Sequence, residues 1–133
     1  SLPGAFTPTC SEKQLPAYEE MYDRFKQAGV DEVYCVSVND GFVMNAWAKD
    51  LGIEKVKLLA DGNGDFTDSM GMLCTKRNKG FANRSWRYSL YAVNGIVQEA
   101  FVEPGFNHKG EDDDPYTCTD PETMIQFIEA EGR

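Results

Sequence analysis

Asn94-Gly95 stands between two apolar runs, Arg87-Tyr88-Ser89-Leu90-Tyr91-Ala92-Val93 and Ile96-Val97-Gln98-Glu99-Ala100-Phe101-Val102. This is the strongest short-range hairpin signal, because both residues of a tight two-residue turn take positive φ, which Asn and Gly tolerate. It commits the second half of the chain to an antiparallel pair. The first half has another period. From Thr9 onward Leu15, Tyr18, Met21, Tyr22 and Phe25 recur at helical steps, and Gly29 closes the segment as a residue just past a helix end would. Pro16 predicts a kink there, or confines the regular helix to the residues after it. Glu32-Val33-Tyr34-Cys35-Val36-Ser37-Val38 is short and rich in β-formers and predicts a buried strand. A helix over 41–51 ending at Gly52 comes next, then a strand over Val56-Lys57-Leu58-Leu59-Ala60, stopped by Asp61-Gly62-Asn63-Gly64.

After the hairpin, residues 104–118 form an acidic loop containing Gly and Pro. Asp120-Pro121-Glu122 then opens a last helix, with Asp120 as N-cap and Pro121 at the first helical position. Met124, Ile125, Phe127 and Ile128 supply its buried face. Alternating helices and strands require parallel pairing and the hairpin antiparallel pairing. The expected fold is therefore α/β, with a central mixed sheet flanked by helices. The 133 residues are expected to form one domain, 1–133. An α/β domain that opens directly on the loop before its first helix lacks the strand that should feed that helix. An N-terminally truncated fragment is expected.

Composition removes several classes of function. With 22 acidic against 13 basic residues the net charge is −9, which disfavours nucleic acid and anionic membrane surfaces as partners. No run approaches the roughly 18 apolar residues of a membrane span. Ser1-Leu2-Pro3-Gly4-Ala5-Phe6 has neither the basic start nor the apolar stretch of a signal peptide. The four cysteines, Cys10, Cys35, Cys74 and Cys118, are widely spaced, with no CxxC pair, and His108 is the one histidine. That pattern fits neither a zinc site nor a disulfide scaffold and suits reduced thiols in a cytoplasmic-type compartment.

The chemistry concentrates in Pro3-Gly4-Ala5-Phe6-Thr7-Pro8-Thr9-Cys10-Ser11. A cysteine in the first turn of a helix faces unpaired backbone N–H groups and the positive end of the helix dipole, both of which favour a thiolate. A buried, inert cysteine is the alternative. A dithiol exchanger would carry a second cysteine three residues earlier. Thr7 stands there, and its hydroxyl can donate and accept hydrogen bonds but cannot form a disulfide. A thiolate beside a hydroxyl suits attack on a small polar O–O bond.

Pro3, Thr7 and Cys10 fill a Pro-x-x-x-Thr-x-x-Cys pattern that resembles the active-site loop of the peroxiredoxins. The string Ser1 to Ser11 is similar to the peroxiredoxin 5 (type II, atypical) subfamily. Val36-Ser37-Val38-Asn39-Asp40, Phe42-Val43-Met44-Asn45-Ala46-Trp47, Asp61-Gly62-Asn63-Gly64 and Arg84-Ser85-Trp86-Arg87-Tyr88-Ser89 extend the likeness almost end to end. It is strongest to bacterial members whose peroxiredoxin domain is fused to a glutaredoxin.

The resemblance implies a thioredoxin-like fold and reduction of hydrogen peroxide or alkyl hydroperoxides without metal, haem or other cofactor. In that reading Pro3 shields the site, Thr7 hydrogen-bonds the peroxide, Cys10 attacks and becomes a sulfenic acid, and Arg87 supplies fixed positive charge. Arg84 is read as a solvated or structural cation. Glutathione with glutaredoxin, or thioredoxin, is the implied reductant, and a homodimer the implied assembly, with Phe6 and Phe42 near the subunit contact. Cys118 falls close to the position of a resolving cysteine in animal-type members, against a surface thiol with no role. Cys35 also matches a subfamily cysteine, but its apolar strand favours a structural part. Cys74 matches nothing. A thiol–disulfide exchanger and a non-catalytic, peroxide-sensing thioredoxin-like domain are the rival readings. Retention of Pro3, Thr7, Cys10 and Arg87 together disfavours the second.

Other signals are set aside. Asp61-Gly62-Asn63-Gly64-Asp65 begins like a calcium loop, but Phe66 and Met72 occupy the positions that need Gly and Glu, so it reads as a turn. Asn83-Arg84-Ser85 formally fits a glycosylation acceptor, with nothing else pointing to secretion. Glu111-Asp112-Asp113-Asp114 reads as a solvated loop, His108 as exposed, and Trp47 and Trp86 as core residues.

Overall fold

The structure is a computed structural model and describes residues 1–131. The first helical stretch is not uniform. Cys10–Gln14 is a π turn, closed by the Leu15 N–H on the Cys10 carbonyl. It leads into α1 (Leu15–Glu20), which Met21 separates from α2 (Tyr22–Gln27). Pro16 accounts for the widening. In a regular helix its ring would press on the carbonyl four residues back and its missing N–H would break the ladder. A wider turn just before it removes both conflicts and leaves Cys10 at an irregular point, where π turns tend to serve function.

The remaining elements are β1 (Tyr34–Ser37), α3 (Gly41–Leu51), β2 (Lys57–Ala60), α4 (Asp65–Ser69), β3 (Leu73–Thr75), a 3₁₀ turn at Arg77–Lys79, β4 (Asn83–Ser85), β5 (Tyr88–Val93), β6 (Ile96–Val102) and α5 (Pro121–Glu131). Asp40 caps α3 by accepting the Val43 N–H, and Gly52 ends it at φ 69°. Asn94 and Gly95 take φ 52° and 79° at the hairpin turn. Asp120 accepts the Thr123 N–H and hydroxyl, as its N-cap assignment requires. Met124, Ile125 and Ile128 are buried, with Phe127 packed partly over them.

Among the described residues parallel and antiparallel pairings both occur, but as three two-stranded ladders rather than one continuous sheet. β1 pairs with β2 in parallel, while β3–β4 and β5–β6 are antiparallel. Two residues link the first ladder to the third. Ser1 N donates to the Tyr88 carbonyl at 2.8 Å and receives the Tyr88 N–H on its own carbonyl at 3.2 Å, while Leu2 N donates to Val36 O at 3.2 Å. Away from that bridge the facing edges of β1 and β5 border a cavity of about 560 Å³ floored by Leu15, Tyr18, Phe25, Met124 and Ile128. The main core gathers Leu2, Cys10, Leu15, Cys35, Met44, Trp47 and Val56.

α4, β3 and β4 carry no periodic signal in the sequence. Asp61, read as part of a turn, caps α4 by accepting the Phe66 and Thr67 N–H groups. β3 and β4 are three residues each, too short for alternation to show.

Candidate active site

Cys10 opens the π turn and is fully buried. The side chain that reaches its sulfur comes from 77 residues further along the chain. Arg87, immediately before β5, is 2% exposed and places Nη2 3.5 Å from Cys10 Sγ. Every other arm of that guanidinium is held. Nε donates to Gln14 Oε1 at 2.7 Å, Nη1 donates to Pro115 O at 2.6 Å, and Nη2 also meets Asp114 Oδ1 at 2.7 Å. The Tyr116 ring lies 5.9 Å from its central carbon. Burial works against the charge on Arg87, but Cys10 and Asp114 more than offset it and raise its proton affinity.

The loop read as solvated is therefore a structural part of the site. Asp112 forms a 2.7 Å ion pair with Lys76, their side chains 6% and 2% exposed. The Lys76 Nζ also lies 5.5 Å from the Trp86 ring. Burial opposes ionisation of Asp112, but Lys76 and the Asp114 N–H hold its carboxyl below the ordinary range. Both cations come from distant positions in the chain, so four consecutive acids give no hint that two of them are paired inside. Asp114 adopts φ 54°, a left-handed conformation that Asp and Asn accept more readily than most residues.

Further along, Glu103 is 1% exposed and binds three successive residues. Its carboxylate accepts the Thr117 N–H and hydroxyl, the Cys118 N–H, and the Thr119 N–H and hydroxyl, at 2.7–3.0 Å. Burial pushes this carboxyl up, and the donors from Cys118, Thr119 and Thr117 reverse that, holding it at about 2. The Asp112–Thr119 segment is thus fixed at both ends while its middle holds Arg87.

The remaining residues singled out in the sequence distribute unevenly. Thr7 donates its hydroxyl proton to Gly4 O at 2.6 Å, leaving its lone pairs free to accept. Pro3 is buried and borders a small cavity of about 10 Å³ beside Arg87, Trp86 and Pro115. Arg84 is a structural cation. It donates from Nη1 to Pro3 O at 3.0 Å and stacks 4.7 Å from the Phe81 ring, so close to Gly4 that a Cβ there would meet Nη1 at 2.0 Å. Cys35 shares the core with Cys10, and burial pushes its thiol up to about 12, in keeping with a structural part. Cys74 is buried in β3, its thiol likewise raised by burial.

Cys118 is half-buried and its thiol donates to Val102 O at 3.4 Å. Burial and the neighbouring Glu103 charge raise it too. All four cysteines are free thiols. Phe6 and Phe42 are exposed, at 52% and 90%, whereas Trp47 and Trp86 are core residues and His108 lies at the surface. Sequence reasoning misses Gln14, Asp114, Glu103, Lys76 and Asp112. Only Gln14 has a usable signal, since four residues after Cys10 it falls on the same helical face.

The Redoxin family model matches residues 1–115. The chain is 52% identical over 128 residues to the peroxiredoxin sll1621 of Synechocystis, covering 96% of this chain and 67% of that protein. It is 51% identical to the hybrid peroxiredoxin hyPrx5 of Haemophilus influenzae, where it covers 96% of this chain and spans about half, 51%, of the relative. Among solved structures, reduced Prx3 of Vibrio vulnificus in complex with H2O2 superposes with a TM-score of 0.87 at 37% identity, covering 98% of this chain and 75% of that one. Peroxiredoxin 5 of Alvinella pompejana gives 0.81 at 28% identity, over 97% and 75%. A buried helix-start thiol facing a fully anchored guanidinium, on a thioredoxin-like frame shared with these proteins, belongs to one family: the chain is a peroxiredoxin of the peroxiredoxin 5 type, a thiol peroxidase.

Proposed function

We propose that the chain reduces hydrogen peroxide and alkyl hydroperoxides at Cys10. The observation that carries this assignment is the 3.5 Å approach of Arg87 Nη2 to the Cys10 sulfur. A guanidinium at that range stabilises negative charge on sulfur, and then on the oxygens as the O–O bond lengthens. The thiolate attacks the terminal peroxide oxygen. An S–O bond forms, the O–O bond breaks, and the departing alkoxide or hydroxide takes a proton from solvent, leaving Cys10 as the sulfenic acid. Thr7, its own proton committed to Gly4, accepts a hydrogen bond from the peroxide O–H and so selects the protonated substrate. Pro3 keeps bulk water from the sulfur.

External thiols, supplied by glutathione with a glutaredoxin or by thioredoxin, return the sulfenic acid to the thiol: the first displaces water and forms a mixed disulfide on Cys10, and the second displaces Cys10 and departs as a disulfide. The anchoring of Cys118 supports an external route over an internal one. A reducing, cytoplasmic-type compartment suits four unbridged cysteines. The exposed rings of Phe6 and Phe42 support a homodimer.

Stopped-flow peroxide consumption tests the assignment. Cys10→Ser is expected to remove activity while Cys74→Ser leaves it near wild type. An active Cys10→Ser variant overturns the proposal. Insulin disulfide reduction, expected to be absent, separates the peroxidase from a disulfide exchanger.

A further inference from the structure

Arg87 divides one nitrogen between a sulfur and a carboxylate. Nη2 lies 3.5 Å from Cys10 Sγ and 2.7 Å from Asp114 Oδ1, whereas Nε and Nη1 are committed to the neutral acceptors Gln14 Oε1 and Pro115 O. Besides the sulfur, Asp114 is thus the one side chain carrying a carboxylate that the guanidinium touches among the described residues.

We propose that Asp114 is a positioning residue which, by sharing Arg87 Nη2 with the sulfur, both aims the guanidinium and limits how much of its charge Cys10 receives. The inference rests on the peroxidase reading for its purpose but not for its measurement. Two acceptors on one N–H-bearing nitrogen compete, and the shorter contact belongs to the carboxylate. Such restraint serves a nucleophile, because a thiolate stabilised without limit loses nucleophilicity as its basicity falls.

The other groups facing the pair come from separate elements. They are Arg84 from β4, which interacts with Cys10 across the loop, the Ser1 amino group, Cys35 on β1, and Tyr116 on the Asp114 loop. Lys76 and Asp112 stand one layer behind, tied to Asp114 through its backbone N–H. None of these besides Asp114 is bonded to Arg87 through a carboxylate.

The test is the ultraviolet absorbance of the thiolate followed against pH, with Cys10→Ser as the blank, in Asp114→Asn and Asp113→Asn. Asn keeps the hydrogen bond and tolerates the left-handed backbone at this position, so the variant is expected to fold, which circular dichroism checks. Asp113 is exposed on the same loop and undergoes the same loss of charge. At the pH where wild-type Cys10 is half ionised, Asp114→Asn is expected to raise the thiolate-to-thiol ratio about threefold or more. Asp113→Asn is expected to track the wild-type curve. An Asp114→Asn curve superposed on wild type overturns the inference, and so does an equal shift in Asp113→Asn. Neither reading requires peroxide, so loss of peroxidase activity would count against the proposed function alone.

Discussion

The carboxylate of Glu103 accepts the backbone N–H of Cys118 at 3.0 Å. It simultaneously accepts both donors of Thr117 and both donors of Thr119, so one buried anion replaces the water that three successive residues would otherwise bind. The link turns a loop with no regular structure into a fixed support for Arg87.

Acid stability should report this anchor. The Glu103 carboxyl falls from an ordinary 4.5 to about 2 in the folded chain. A depressed carboxyl contributes stability that is present above its unfolded value and is lost as pH falls through the folded one, so the window runs from 4.5 down to about 2. The contribution at neutral pH is on the order of 3 kcal/mol. Glu103→Gln is expected to lower the neutral-pH stability by a comparable amount and to flatten the acid limb of the unfolding curve. Denaturant melts at several pH values check it, and an unchanged acid limb would exclude Glu103 as its source.

The same anchor bears on how oxidised Cys10 is recycled. Cys118 is held through its backbone N–H on Glu103 and its thiol on Val102, so a crosslink to Cys10 has to compete with these contacts. Mass spectrometry of the peroxide-treated protein with glutathione present is expected to find the glutathione adduct on Cys10 ahead of a Cys10–Cys118 crosslink. In Glu103→Gln the balance should move toward the crosslink. A dominant crosslink in the wild-type protein would establish Cys118 as a resolving thiol.

Lys76 and Asp112 present a different energetic case. Removing one partner of a buried ion pair leaves the other charge uncompensated, at a cost of about 3–5 kcal/mol, whereas replacing both by apolar groups is often close to neutral. Lys76→Met should be strongly destabilising, and the double variant Lys76→Met with Asp112→Leu should recover much of the loss. Thermal unfolding of the single and double variants closes the cycle. Additive losses would show that the pair is not coupled.

The parts of this molecule that are legible in the sequence are those whose causes are local. The hairpin turn needs positive φ at Asn94 and Gly95, the last helix needs Asp120 as its cap, and Cys10 needs only to start a helix. Each of those requirements is met within a few residues. The Arg87 seat is not local. Asp114 and Pro115 touch Arg87 from 27 and 28 residues away, and Gln14 from 73. Nothing near Asp112 marks it as the partner of Lys76, and a run of four acids is ordinarily a solvated face. The π turn is half legible. Pro16 signals an irregularity, but a kink, a stop and a widened turn all relieve its conflict with the preceding carbonyl, and the sequence does not choose among them.

The facing edges of β1 and β5 border one cavity beyond the Ser1–Leu2 bridge. The reciprocal bonds between Ser1 and Tyr88, and the Leu2 bond to Val36, set a register that is antiparallel to β5 and links to the edge of β1. Continued backward from Ser1, a strand would run beside Ser89, Leu90 and Tyr91 on one side and Cys35 and Tyr34 on the other, through the 560 Å³ cavity. Among the described residues neither edge has a neighbouring strand over this stretch, and the floor beneath is lined by Leu15, Phe25, Met124 and Ile128, so a strand there gains ladder hydrogen bonds and hydrophobic burial together. Grafting about five residues of alternating apolar and polar character ahead of Ser1 is therefore expected to join β2, β1, the graft, β5 and β6 into one mixed sheet. The thermal midpoint should rise by about 5 °C or more. A graft with Pro at its centre cannot donate to the ladder and should give much less. If both grafts leave the midpoint where it was, the cavity does not accept a strand and the two ladders are independent.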